Sequence, residues 1–291
     1  ITLIIDISYL NKMNIKNPIF IIGTTRSGTN ILYKLFTSHK DTAYFENYSS
    51  RFYKRPMMFR LIPLLKKYQK IRFKIDRPKT SEGWVWDRFY TPLEYLDESK
   101  VTEEIKNYYY NAIKYQLKAF NATRFVGSNP RNSMRVRWLN HMFPDAFFII
   151  ITREKKSVIN SMYQLITKKR KKWGDKFLEP PSTLRGYGHA KKILGENVSD
   201  MQTCIQWYEL YRNTLNNDLP LVSDRTIHVN YEDFIKDYKN TVKKLYDFTN
   251  LKWYDEIEKQ FMKHKVDLTR NERWKSLPDE QKKELLDYCK D

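Results

Sequence analysis

The chain is poor in the residues that cross-link or interrupt a fold. Its 291 residues include two cysteines, Cys204 and Cys289, which excludes a disulfide framework and favours a reducing compartment or indifference to redox. Glycine is scarce, and neither a repeat nor a low-complexity linker occurs, so we expect one domain over residues 1–291. No apolar run reaches the roughly eighteen residues of a membrane span. We expect a cytoplasmic protein, leaving open membrane association and a targeting segment trimmed from before Ile1.

Acidic residues are few compared with basic ones. The chain has 53 Lys and Arg against 34 Asp and Glu, a formal net charge of +19. Residues 51–79 hold eleven basic residues and one acid, Asp76, interleaved with apolar residues. This stretch is either a basic amphipathic cover over an anionic membrane or lipid-like acceptor, or a solvated insertion whose apolar face packs on the core. Because no zinc spacing or helix-turn-helix occurs, we do not expect nucleic acid as the partner.

The N-terminal region has the layout of an anion-binding loop. An apolar run, 19–22, leads into a small-residue loop, 23–30, and an apolar-periodic segment follows at 31–36. In a strand, loop and helix of this kind, backbone N–H groups and the helix N-terminus hold a phosphate-like group.

The loop departs from the Walker A version of this motif, which binds nucleoside triphosphates. Gly23 and Gly28 have the Walker A spacing, but Thr29 and Asn30 stand where that motif needs Lys and a Mg²⁺-binding hydroxyl. A cation lies inside the loop instead, at Arg26. These residues favour a nucleotide-like donor held without a metal over an ATPase.

A second strand and helix follow in the middle of the chain. The apolar run 146–151 predicts a strand buried on both faces. Arg153 follows its C-terminal end, and Ser161 lies eight residues on in the next helix. Open α/β folds bind ligands at this edge of the sheet.

Together the two motifs resemble the sulfotransferases that use 3′-phosphoadenosine-5′-phosphosulfate (PAPS). The resemblance implies that the loop binds the 5′-phosphosulfate and that Arg153 and Ser161 bind the 3′-phosphate. The segment 227–234 is similar to the family's strand ending in Y-E-D-L, and 270–274 more loosely to its nucleotide-closing segment. The implied donor-binding residues are Arg26, Ser27, Gly28, Thr29, Asn30, Arg153, Ser161, Arg270 and Trp274. Arg270 and Trp274 also fit a plain packing role at the C-terminus.

The expected fold is a single α/β domain with a central parallel sheet flanked by helices. Residues 47–100 and 173–200 fit neither pattern and are expected to be basic and aromatic insertions on the acceptor side. Four aromatic residues either line an apolar acceptor pocket or pack between the insertion and the core: Trp84, Trp86, Phe89 and Tyr90. The pattern predicts strands at 18–23, 124–127, 146–151 and 226–230, and helices at 29–38, 101–120, 132–142, 155–172, 201–217, 234–249, 253–263 and 278–288.

The implied reaction is in-line transfer of a sulfuryl group to a hydroxyl or amine, without a metal. Arg26 is the candidate for stabilising charge on the sulfuryl group, its alternative being a salt-bridged loop arginine. Glu46 is the candidate general base, its alternative being a surface or ion-paired glutamate. Relatives carry a Lys before a Pro in mid-chain; the stretch 127–131 has none, and Arg124 or Arg131 are candidate replacements.

The acceptor stays open among a small molecule, a lipid or glycolipid, a sugar and a peptide tyrosine. Two other function classes also stay open. A P-loop kinase or nucleotide hydrolase would need a metal with its nucleotide. A non-catalytic basic protein would keep its salt-sensitive binding to anionic lipid or nucleic acid after loss of Arg26 and Arg153.

Overall fold

The structure is a computed structural model that describes residues 13–62, 82–91, 94–174, 198–254, 257 and 268–290. Much of the basic stretch 51–79 and most of the predicted insertion 173–200 therefore lie outside the described residues. So does most of the predicted helix 253–263.

Five parallel strands form one sheet in the order β2-β3-β1-β4-β5. The chain runs from β1 to the edge strand β2, returns as β3, and then crosses to the other side of β1. The strands are β1 (Ile19–Ile22), β2 (Thr42–Ala43), β3 (Arg124–Ser128), β4 (Phe147–Thr152) and β5 (Thr226–Asn230).

Helices connect the strands, so the predicted α/β architecture with a central parallel sheet is confirmed. The predicted helix 234–249 is wrong in one respect, because Asp237 leaves helical geometry and separates two shorter helices. The α-helices are α1 (Thr29–Thr37), α2 (Asn47–Arg51), α3 (Gly83–Trp86), α4 (Glu103–Phe120), α5 (Val136–Met142), α6 (Lys155–Trp173), α7 (Asp200–Asp218), α8 (Tyr231–Lys236), α9 (Tyr238–Phe248) and α10 (Asp279–Cys289). The 3₁₀ helices are Pro56–Leu61, Glu98–Lys100, Pro130–Met134, Leu219–Arg225 and Leu268–Ser276.

The core explains why the apolar runs became central strands. All four residues of β1 are fully buried, as expected for a strand covered on both faces. Phe20 and Ile22 pack in one apolar cluster with α4, while Ile19 and Ile21 pack in another with α1 and α9. Trp86 belongs to the first cluster, and its ring centre lies 5.9 Å from that of Phe20, so Trp86 is a core residue.

The strand register brings the candidate loops to one edge of the sheet. Ile21 of β1 pairs with Ser128 of β3 and with Ile149 of β4. Because the strands are parallel, the loop that follows β1 lies between the carboxyl ends of β3 and β4. No helix in the described part of the chain is long and apolar enough to cross a membrane.

Candidate functional site

The loop after β1 is held in a tight backbone conformation. Ser27 donates to the carbonyl oxygen of Thr24 through both its backbone N–H, over 3.1 Å, and its hydroxyl, over 2.7 Å. Arg26 has φ 74° and Gly28 has φ 105°, both in the left-handed region. A Cβ on Gly28 would also collide with the ring of Tyr231, so glycine is required at this position.

Helix α1 begins directly after Gly28, with Thr29 buried and Asn30 exposed. Its first turn carries no acidic residue, and its N-cap residue, Gly28, has no side chain that could cap it. A helix N-terminus of this kind favours an anion through its N–H groups and its dipole. The predicted donor-binding residues of the loop therefore surround a place suited to a phosphate or sulfate.

The structure brings the two predicted half-sites into contact. Arg26 Nε donates to Ser161 Oγ over 2.9 Å, although the two residues are 135 positions apart. Arg153 Nη1 donates to the carbonyl oxygen of Arg26 over 3.2 Å. The Arg153 guanidinium also lies 4.6 Å from the ring centre of Tyr231. Two guanidinium groups and a hydroxyl thus converge beside the loop.

A further residue, Asn271, orients Arg153. Its Oδ1 accepts from Arg153 Nε over 3.0 Å and from Arg153 Nη2, and its Nδ2 donates to Glu232 Oε1 over 2.9 Å. Glu232 Oε1 also accepts from the backbone N–H of Glu154 over 3.3 Å. From the sequence, Asn271 belongs to the segment similar to the family's nucleotide-closing segment, but no role was predicted for it. Its partners, Arg153 and Glu232, lie far from it along the chain.

The two residues predicted on either side of Asn271 have different outcomes. The side chain of Arg270 lies outside the described residues. Trp274 is half-buried against the apolar cluster of α6 and α7, with Lys156 Nζ 4.8 Å from its ring centre. The structure therefore shows a packing contact for Trp274, and adenine binding stays a prediction.

Glu46, the predicted base, is fully buried at the start of α2. One of its carboxylate oxygens caps this helix, accepting from the backbone N–H of Ser49 over 3.1 Å. With its amide oriented to satisfy both groups, Gln116 donates to the other oxygen over 3.0 Å. Glu46 follows the carboxyl end of β2 by three residues, and β2 pairs in parallel with β3, so Glu46 lies after the carboxyl end of an edge strand of the sheet.

A second buried carboxylate, Glu82, was not singled out from the sequence. Its oxygens accept from Tyr33 Oη, from Trp86 Nε1 over 2.6 Å and from the backbone N–H of Ser128 over 3.1 Å. Burial raises the pKa of Glu82 from 4.5 to about 8, against the lowering effect of hydrogen bonds from Tyr33 and Trp86. At neutral pH it is therefore mostly protonated and unsuited to accepting a proton. The sequence does contain one clue to Glu82, because it is an acidic residue between the basic stretch 51–79 and the two tryptophans Trp84 and Trp86.

The two candidates for the missing lysine, Arg124 and Arg131, both have partners within the protein. Arg124 is at the start of β3, at the opposite edge, where its Nη1 donates to the carbonyl oxygen of Asn17 over 2.9 Å. Arg131 forms an ion pair with Asp87, which also accepts from Arg135 Nη2 over 2.7 Å. The part of the chain that the structure describes contains no group of three His, Cys, Asp or Glu side chains able to hold a metal ion.

Known proteins share this fold. The family model described as the sulfotransferase family matches residues 18–255. The structure of sulfotransferase STF9 from Mycobacterium avium is 13% identical with a TM-score of 0.60, over 89% of this chain and 71% of that one. Sulfotransferase STF1 from Mycobacterium tuberculosis H37Rv is 17% identical with a TM-score of 0.55, over 96% and 78%. The sulfotransferase domain from the curacin biosynthetic pathway is 16% identical with a TM-score of 0.56, over 96% and 99%. No curated protein sequence matches the chain.

Proposed function

The chain belongs to the sulfotransferase family, and we propose that it transfers the sulfuryl group of PAPS to a hydroxyl or amine of an acceptor. The observation that carries this proposal is the contact between the two half-sites, Arg26 Nε to Ser161 Oγ at 2.9 Å. PAPS carries phosphate groups at the 3′ and 5′ positions of one ribose, so a site that binds it needs both half-sites close together.

The residues present fit such a donor in their chemistry. Phosphates are bound well by guanidinium groups, hydroxyls and backbone N–H groups, and these are the groups that surround the loop. Arg153 and Ser161 would bind the 3′-phosphate. Ser27, Gly28, Thr29 and Asn30 would bind the 5′-phosphosulfate through the loop and the N-terminus of α1. Arg270 and Trp274 would close over the nucleotide.

When bound, PAPS supplies a sulfuryl group on a phosphate leaving group. Arg26 would stabilise the negative charge that grows on the bridging oxygen as the bond between sulfur and that oxygen breaks and PAP leaves. A bond forms between sulfur and the acceptor oxygen or nitrogen, and the acceptor proton passes to a base. Glu46 is our proposal for this base, since it lies at the same edge of the sheet and Glu82 is mostly protonated at neutral pH.

Calorimetric binding of 3′,5′-adenosine diphosphate (PAP), the spent donor, in the presence of EDTA tests the proposal. We expect tight binding without a metal, and a weakening of about thirtyfold or more in Arg153→Ala, since a charge-assisted contact to a phosphate is lost. Arg212→Ala is the matched control, because Arg212 is an exposed arginine paired with Glu209 over 3.4 Å on α7.

Other outcomes identify the other classes. A preference for ATP with Mg²⁺ over PAP would point to a kinase or nucleotide hydrolase. Failure to bind either nucleotide, together with salt-sensitive binding to anionic lipid that survives Arg26→Ala and Arg153→Ala, would point to a non-catalytic binding protein.

A further inference from the structure

A basic surface segment follows Glu46 along the chain. No acidic residue occurs between Glu46 and Asp76. The structure describes this interval as far as residue 62, as helix α2, a turn and the 3₁₀ helix Pro56–Leu61. We define a basic face by six of its residues: Arg51, Lys54, Arg55, Met57, Arg60 and Leu61.

The segment that carries the basic face is anchored on the core by its inner side. Phe59 and Ile62 are fully buried in the apolar cluster that contains α4. They are three residues apart, and residues at this spacing lie above one another on a 3₁₀ helix, so one side of the helix faces inward. Tyr108 Oη of α4 also donates to the carbonyl oxygen of Tyr53 over 2.6 Å. The segment therefore has a fixed inner side and a fixed outer side.

The outer side exposes large apolar side chains. Met57 is 51% exposed and Leu61 is 36% exposed. The described residues contain four exposed large hydrophobic side chains, and these two lie on one short helix. A single exposed apolar residue is ordinary on a protein surface. A pair of them among cations is typical of a surface that enters the headgroup region of a membrane.

The four cations of the basic face have no acidic partners. None of them forms an ion pair with an acid in the part of the chain that the structure describes. By contrast, Arg137 and Arg212, also on the surface, pair with Glu98 over 2.9 Å and with Glu209 over 3.4 Å. The basic face thus keeps its positive charge for an external anion.

We propose that the basic face binds the surface of an anionic membrane. Anionic headgroups attract Lys and Arg side chains, and apolar side chains beside them enter the boundary between headgroups and acyl chains. Nucleic acid also attracts basic residues, but Met57 and Leu61 have no ring on which a base could stack. The inference does not rest on the proposed function, because binding to lipid requires neither a nucleotide nor an acceptor.

Sedimentation of the whole chain with lipid vesicles tests this inference. One vesicle preparation is phosphatidylcholine with about a quarter phosphatidylserine, and the other is phosphatidylcholine alone, both at about 0.15 M salt. We expect the protein to bind the first preparation and to remain in solution with the second. Binding to the first should weaken as the salt concentration rises.

Two sets of substitutions separate charge from apolar contact. Arg51→Ala, Lys54→Ala and Arg55→Ala together should weaken binding to the anionic vesicles by about a hundredfold, since each basic residue near the surface contributes several-fold in affinity. Met57→Gln with Leu61→Gln keeps every charge and should weaken binding by about tenfold, because the apolar contact with the boundary region is lost.

A charge-matched triple variant is the control. Lys16, Lys244 and Lys283 are exposed lysines before β1, on α9 and on α10. Their substitution by Ala removes the same number of charges from other surfaces and should change vesicle binding by less than about threefold. Thermal unfolding of every variant shows that the proteins compared are folded.

Three results would overturn the inference. Failure of the unsubstituted protein to bind anionic vesicles would remove it directly. Equal weakening by the basic-face triple variant and by the control triple variant would mean that net charge alone drives binding. Tighter binding to a DNA duplex than to vesicles, unaffected by Met57→Gln with Leu61→Gln, would assign the basic face to nucleic acid instead.

Discussion

The two sides of the loop after β1 are built on different principles. On the β4 side, Arg26, Ser161, Arg153 and Asn271 already bond to one another, with the carboxylate of Glu232 behind them. On the β3 side, two fully buried carboxylates lie near polar atoms that lack partners within the described residues. The first side is a charged network whose members bond to one another, whereas the second holds buried polar groups that are only partly satisfied within the described residues.

This difference separates the two tasks of a transferase. A prearranged charged network suits a donor that is the same in every turnover, because the cost of ordering those side chains falls on folding. The proposed base, Glu46, lies on the β3 side. We therefore expect changes on the β4 side to alter nucleotide affinity, and changes on the β3 side to alter stability or turnover.

The largest expected effect on the β3 side comes from Glu82. Glu82→Leu leaves Tyr33 Oη, Trp86 Nε1 and the Ser128 N–H without their acceptor, which we expect to cost about 3 kcal/mol or more in urea unfolding. Glu82→Gln resembles the protonated acid and should cost much less. If Glu82→Gln lowered the free energy of unfolding as much as Glu82→Leu, the assignment of Glu82 as a neutral acid would be contradicted.

The same residue predicts a pH dependence. The pKa of Glu82 in the folded protein, about 8, lies above its ordinary 4.5, so the folded state holds this proton more tightly. The stability that this proton contributes is complete below about pH 4.5 and is lost as the pH rises to about 8, by at most about 1.4 kcal/mol per pH unit. Unfolding of Glu82→Gln, measured at pH 5 to 8, should lack this slope. An identical slope in both proteins would assign it to another group.

Glu46→Gln should reduce turnover by about a hundredfold and change PAP affinity by less than about twofold. The amide keeps an oxygen for the Ser49 N–H, so α2 keeps its cap. Single-turnover transfer with a fixed acceptor measures the first effect, and calorimetry the second. Glu98→Gln, at an exposed carboxylate paired with Arg137, is the control. Full turnover in Glu46→Gln would place the base elsewhere.

Gly28→Ala should weaken PAP binding by about tenfold, because the new Cβ would collide with the Tyr231 ring and displace the loop. The φ of 105° at Gly28 also strains any residue other than glycine. Gly174→Ala is a matched control, because Gly174 also has positive φ, at 59°, but a Cβ there meets nothing within 4 Å. It should cost about 1 kcal/mol of stability without changing PAP affinity. Equal effects of the two variants on PAP binding would show that contact with Tyr231 is unimportant.

The smallest expected effect is that of Asn271→Ala on the β4 side. Arg153 keeps its charge but loses the amide that orients it, so PAP affinity should fall by about three- to fivefold. Stability should change little. Asn240→Ala, at an exposed amide that bonds Asp237 over 2.9 Å, controls for loss of a surface asparagine. A loss of PAP affinity as large as that of Arg153→Ala would make Asn271 a direct ligand of the nucleotide.

The sequence predicted the fold, and the position of Arg26 and Arg153 at strand ends, better than β2 and the surroundings of Glu82, for a physical reason. β1 and β4 are continuous apolar runs, and the residues that follow them stand next to a strand end that can be located from those runs. β2 has only two residues, too few for any periodic pattern, and it was missed. Glu82 takes its role from partners on α1, α3 and β3, so no local pattern indicates it.

The hydrogen bonds around Arg153 also have a consequence for biosynthesis. They join residues 118 and 127 positions apart, and Asn271 lies close to the end of the described chain. During synthesis from the N-terminus, the loop at Arg26 emerges long before the residue that orients Arg153 has been added. The proposed nucleotide site therefore cannot be completed until residue 271 has been added. A chain that stops before residue 271 would keep the loop and lack the finished site.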